Sequence, residues 1–89
     1  MTELRFSPEA DRRLDLLEKS HRECASRVHA ALDRLEAEPG AARNRRRRFQ
    51  TLDAWGVDVR CPDEDWLILW SYLAQDPTIV VVDHIVPMP

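Results

Sequence analysis

Apolar residues keep one spacing in the first half of the chain and another in the second. Ala10, Leu14 and Leu17 recur at helical intervals behind Ser7-Pro8. There a serine hydroxyl can cap the first turn, and a proline gives up no N–H that the helix needs. Cys24, Val28, Ala31, Leu32 and Leu35 then fall at i, i+4, i+7, i+8 and i+11, with charges on the other faces, an amphipathic stripe that predicts a second helix. Ser20-His21-Arg22-Glu23 reads as a capping box separating the two, and Pro39-Gly40 stops the second. Beyond Phe49 the period falls to two. Val57, Val59 and Cys61 alternate with Asp58 and Arg60 as in a half-buried strand. Trp66 to Ala74 is apolar on both faces, which predicts a central strand, and Gln75-Asp76-Pro77 turns it into a third strand, Thr78 to Val86. With Leu4 to Phe6 as a short leading strand, the order is β-α-α-β-β-β. The fold class is α+β, an αα-hairpin packed on one face of a small antiparallel sheet, since neither layer can bury its apolar side alone. Gly40 to Arg48 is the one long loop.

The length of 89 residues predicts a single domain, 1–89. With 44% apolar and 33% charged residues, the composition is that of a soluble globular chain. Its longest apolar run, Trp66 to Trp70, is far short of the ~20 residues that cross a bilayer. Met1 to Phe6 lacks a secretion pattern, so the expected location is the cytoplasm, with no membrane partner. Cys24 and Cys61 are too few for a disulfide framework, and both are expected as free thiols in a reducing compartment. His21 and Cys24 stand one helical turn apart, but two ligands do not make a site. No phosphate-binding glycine loop, nucleophile elbow or Cys-x-x-Cys is present. No metal and no cofactor is expected.

Charge changes the picture more than composition does. The formal net charge is −3, with 13 basic and 16 acidic residues, yet Arg43, Arg45, Arg46, Arg47 and Arg48 fall within six positions. Removing those five leaves eight basic residues against sixteen acidic ones, so +5 sits in one short segment and −8 elsewhere. Guanidinium forks match phosphate oxygens in a bidentate way, so these five arginines are the candidate RNA-binding residues; a solvated loop balancing the acidic remainder is the plain alternative. If Val57, Val59 and Cys61 face the helices, Asp58 and Arg60 point to the uncovered sheet face. On the next strand Leu67, Leu69 and Leu73 read as the helix-facing set, which leaves Trp66, Trp70 and Tyr72 open. Trp70 and Tyr72 are then candidates for stacking on bases, or anchors of a protein interface, or core residues if the chain folds over both faces. Arg60 on that face could hold a phosphate or brace Asp58, and His84, beside Asp83, is a candidate proton carrier in phosphodiester cleavage, with arginines stabilising developing charge.

The element order, the opening Phe6-Ser7-Pro8-Glu9-Ala10, the segment Leu32-Asp33-Arg34-Leu35-Glu36-Ala37-Glu38-Pro39, and the pair Val57-Asp58-Val59-Arg60 and Asp65-Trp66-Leu67-Ile68-Leu69-Trp70 together resemble the RelE/ParE superfamily of toxins from bacterial type II toxin–antitoxin systems. That resemblance implies one of two activities, cleavage of messenger RNA on the ribosome with inhibition of translation, or inhibition of DNA gyrase. It also implies a cognate antitoxin and a toxin–antitoxin hetero-oligomer. Arg60 matches the arginine that closes the first meander strand, and Arg46 to Arg48 match the basic residues before it. Asp58 and Leu67 depart from the pattern, standing where the family usually carries arginine. The expectation is therefore a toxin acting as a metal-independent, ribosome-dependent endoribonuclease, with catalytic Arg60 and His84. The alternative is a non-catalytic binder of the same fold, directed at gyrase or only at its antitoxin.

Overall fold

The computed structural model describes residues 2–88. Its elements run β1 (Glu3–Phe6), α1 (Pro8–Ser20), α2 (Arg22–Ala37), β2 (Arg47–Phe49), β3 (Ala54–Val59), β4 (Trp66–Leu73) and β5 (Asp76–Pro87), with 3₁₀ turns at Ala42–Asn44 and Gln50–Leu52. Two helices pack on a five-stranded sheet of order β1-β5-β4-β3-β2. The expected class and the expected order hold, with two differences. The sheet is mixed, because β1 pairs parallel to β5 while every other pair is antiparallel. The fifth strand, β2, starts within the segment expected as loop, Gly40 to Arg48, and ends one residue beyond it. No helix among the described residues is long and apolar enough to cross a membrane.

Ser7 fixes the entry to α1. Its Oγ accepts from the Ala10 N–H at 3.0 Å and donates to the Asp83 carbonyl at 2.7 Å, while its own N–H donates to the Val82 carbonyl at 3.0 Å. One residue thus caps the helix and ties it to β5. The capping box does not form. Ser20 is the last residue of α1, His21 occupies the cap of α2 without a side-chain bond, and Glu23 instead meets Arg27 at 3.3 Å.

The sheet register sets the two faces. Val59, Val57 and Trp55 lie across from Trp66, Ile68 and Trp70, and all three of those β4 residues join Val80, Val82 and Ile85 in the core beneath Leu14, Leu17, Val28 and Leu35. Leu67 and Leu69 pair with Asp58 and Gly56 and face the other way. The expected facing of β4 is therefore inverted: Trp66 and Trp70 are 6% and 0% exposed beneath the helices. Gly56 is required on the far face, since a Cβ there would stand 2.8 Å from Phe49 Cε2 and 3.0 Å from Leu67 Cδ1.

The cysteines are also corrected. Cys24 in α2 and Cys61 just after β3 form a disulfide, and no free cysteine is present among the described residues. The αα-hairpin brings α2 alongside the end of β3, a proximity that a spacing of 37 residues does not reveal. The turn after Cys61 is gathered on Asp65: its Oδ1 accepts from the Cys61 N–H at 3.3 Å and its carbonyl from the Met88 N–H at 2.9 Å.

Two stability outcomes follow from this packing. Gly56→Ala should cost about 1–3 kcal/mol through overpacking, read as a lower urea midpoint, and Phe49→Leu in the same chain should recover part of it. An unchanged midpoint would show that Phe49 yields freely. Reducing the disulfide releases a 37-residue loop in the unfolded chain, worth roughly 3–4 kcal/mol by loop entropy. Tm should then fall by about 10 °C or more, measured with and without reductant against a Cys24→Ala, Cys61→Ala double variant that reductant leaves unmoved.

Candidate nucleic-acid interface

The arginine run is organised around one buried polar residue. Asn44 is 1% exposed, donates from Nδ2 to the Glu38 carbonyl at 2.7 Å, and accepts at its own carbonyl from Trp70 Nε1–H at 2.9 Å. A buried amide and a buried indole N–H both need partners, and each finds one in this arrangement. The turn is therefore fastened to the sheet, and the arginines on either side of Asn44 are left at the surface.

These arginines fall into three groups. Arg45 and Arg48 lie over Trp55, with guanidinium carbons 5.0 and 4.6 Å from the ring centroid, and Arg45 is also 5.5 Å from the Tyr72 ring. Arg45 Nη2 donates to Tyr72 Oη at 2.6 Å, and Arg48 is paired with Asp53. Arg48 reaches this place because it stands opposite Trp55 in the β2–β3 register. Arg47, one position earlier, stands opposite Gly56 and turns to the other face, where Nε and Nη2 hold both oxygens of Asp58 at 2.6 and 3.1 Å. That hydrogen bond first, and the charge of Asp58 second, raise the Arg47 pKa above its ordinary value. Arg43 and Arg46 are exposed and have no ion-pair partner among the described residues.

The aromatic partner of these arginines is Trp55, which sequence reasoning missed. It is half-buried, stacks on Trp70 with centroids 4.9 Å apart, and meets Tyr72 edge-on at 5.7 Å. The signal was available, because extending the alternation of Val57 and Val59 back by one step puts Trp55 on the same face. Trp70 is fully buried and cannot offer a ring face to a base; it supports Trp55 from beneath. Tyr72 is half-buried on this helix-side cluster, with its hydroxyl occupied by Arg45. An arginine-capped tryptophan backed by a second indole can exchange the guanidinium for a nucleobase, both being planar groups that stack on a π-face.

Arg60 and His84 are not brought together. Gly56, Leu69 and His84 lie in one row across β3, β4 and β5, and Arg60 is four residues beyond Gly56. Two strand spacings and four residues of rise separate their backbones by roughly 16 Å. Each also has its own carboxylate: Arg60, 83% exposed at the side chain, meets Asp65 at 3.5 Å, and His84 Nδ1 meets Glu9 Oε2 at 3.2 Å. Arg60 does not pair with Asp58, which Arg47 holds. Cys24 has its sulfur in the disulfide, which removes the His21/Cys24 ligand pair.

No protein-family model matches the chain, and no curated protein or solved structure matches it either.

The grouping predicts unequal contributions to polyanion binding. Replacing Arg43, Arg45 and Arg46, none of which meets a carboxylate, with glutamine should reduce the log–log salt slope for single-stranded RNA by about two units. Arg47→Gln should reduce it by less than half a unit, because Asp58 already neutralises that charge. Filter binding between 50 and 200 mM salt reads both, and a loss of about 0.7 unit from Arg47→Gln, the full single-strand share of one contact, would show that the Arg47 ion pair opens for RNA.

Proposed function

We propose that this chain is the toxin component of a type II toxin–antitoxin pair of the RelE/ParE kind, acting on RNA and halting translation. The observation that carries this reading is the edge built by Arg45 and Arg48 over Trp55, where guanidinium forks and a stacking surface lie side by side on β2, the turn before it and β3. The element order, with a helical hairpin on one sheet face, agrees with the fold that the resemblance implies. Messenger RNA on the ribosome is the target under this reading, a cognate antitoxin the partner, and the cytoplasm the location. Disulfides are rare in that compartment, so there the Cys24–Cys61 link would be exposed to reduction.

A second reading is favoured by the separation of Arg60 from His84. Without a proton carrier beside a charge-stabilising arginine, the same scaffold serves as a binder that blocks its target without cutting it, gyrase or the antitoxin included.

Expression of the chain in bacteria separates the two. Labelled amino-acid incorporation should stop before labelled thymidine incorporation, and 5′-end mapping of messenger RNA should show new cuts. If Arg60 leaves Asp65 for the scissile phosphate, Arg60→Ala should reduce cutting by about 10²-fold, the scale of losing one transition-state donor, with Tm nearly unchanged because an exposed ion pair contributes little. Arrested translation with intact messenger RNA favours the binder. Arrested replication points to gyrase, and growth with neither arrested overturns the toxin reading.

A further inference from the structure

A cleft of about 180 Å³ lies at the edge of β3 beside the end of β2, lined by Arg34, Arg43, Asn44, Arg46, Gly56, Val57 and Asp58. Arg34 comes from the last turn of α2, Arg43 from the 3₁₀ turn, and Arg46 from the residue before β2. Three separate pieces of chain therefore bring three arginines to the wall of one small space. Among the described residues none of the three has an ion-pair partner. The one carboxylate on the wall, Asp58, has both oxygens held by Arg47 at 2.6 and 3.1 Å. Its charge is thus matched, and the three arginines remain uncompensated.

Like charges gathered in a concave site repel one another and focus a positive potential. The arrangement is relieved by an anion. The wall itself is firm, because Asn44 between Arg43 and Arg46 is buried and fastened to the Glu38 carbonyl and to Trp70.

We propose that this cleft binds a terminal phosphate group, a phosphate monoester or inorganic phosphate, through Arg34, Arg43 and Arg46. Size and chemistry both point there. The volume is below the roughly 300 Å³ at which sites for drug-sized ligands begin, so one compact anion fills it. Three guanidinium forks can engage three oxygens; a terminal phosphate presents three, and an internal diester presents two with chain leaving in both directions. Arg34 carries the specific content of the proposal, since it lies outside the arginine run and nothing in the run requires it. The inference deepens the RNA reading, on which only the biological source of the phosphate rests: a 5′-phosphorylated RNA end would enter the cleft while the following bases meet Trp55.

The test titrates the full chain with inorganic phosphate at constant ionic strength and follows the backbone amides of Gly56 and Asp58 by NMR, with chloride as the blank. Saturable shifts at these amides are expected. Arg34→Gln should weaken phosphate binding by about tenfold or more, the scale of one charge-assisted hydrogen bond. Arg12→Gln, on the exposed side of α1, should leave it unchanged and controls for net charge. A pair of oligoribonucleotides identical except for a 5′-phosphate identifies the source: a preference for the phosphorylated one that Arg34→Gln abolishes assigns the RNA end, and equal binding of the two assigns free phosphate. Phosphate binding without RNA binding would sink the RNA reading and leave the cleft standing. Amides that respond to phosphate no more than to chloride, or an Arg34→Gln chain that binds as the parent does, would overturn the cleft whatever the RNA result.

Discussion

The hydrogen bond from Trp70 Nε1–H to the Asn44 carbonyl is the contact on which the basic edge depends. It joins the centre of the helix-side core to the turn between α2 and β2, and Asn44 passes the constraint back to the end of α2 through Glu38. A segment carrying five arginines in six positions would otherwise extend into solvent, where self-repulsion keeps it unstructured. Pinned at Asn44, it has to leave the turn along β3, and a three-residue strand pairs there. Strand alternation then sends Arg47 and Arg48 to opposite faces. A core interaction thus decides the placement of surface charge.

Much of the fold was legible in the sequence. Helix boundaries followed from Ser7-Pro8 and Pro39-Gly40, and the strand order from period and turns. The facing of β4 was not legible, for a physical reason. Trp66-Leu67-Ile68-Leu69-Trp70 is apolar at every position, so alternation carries no information within it. Only the register against β3, Val57 opposite Ile68, chooses the face, and it gives the helix-side core to the tryptophans and isoleucine. Reading leucine as core and tryptophan as surface used residue habit where pairing decides.

The arginine run was legible as an anomaly, though its internal division was not. As letters, Arg45 to Arg48 are equivalent. In the fold Arg47 is held by a carboxylate across the strand, Arg45 and Arg48 rest on an indole, and Arg46 turns toward α2 with Arg43. Trp55 and Arg34, the two residues that give these groups their chemistry, stood outside the patterns that drew attention to the run. The disulfide was hidden in a similar way, since its two cysteines become neighbours only once α2 lies along β3.

The same topology bears on what the sheet can catalyse. Phosphodiester cleavage by a side-chain acid or base needs that group within hydrogen-bond reach of the reacting oxygen and a cation on the phosphate beside it. Arg60 sits past the end of β3 and His84 sits in β5, with the whole of β4 between them. Sharing a sheet with a candidate arginine therefore does not make His84 its partner. Glu9 engages His84 at the start of α1, beside the Ser7 cap that ties α1 to β5. This gives the histidine a local partner independent of catalysis. The cationic and aromatic groups that do converge lie elsewhere, Arg45 and Arg48 over Trp55 and Arg34 with Arg43 and Arg46 at one cleft. Under the RNA reading proposed above, cutting would need a proton carrier other than His84 beside Arg60.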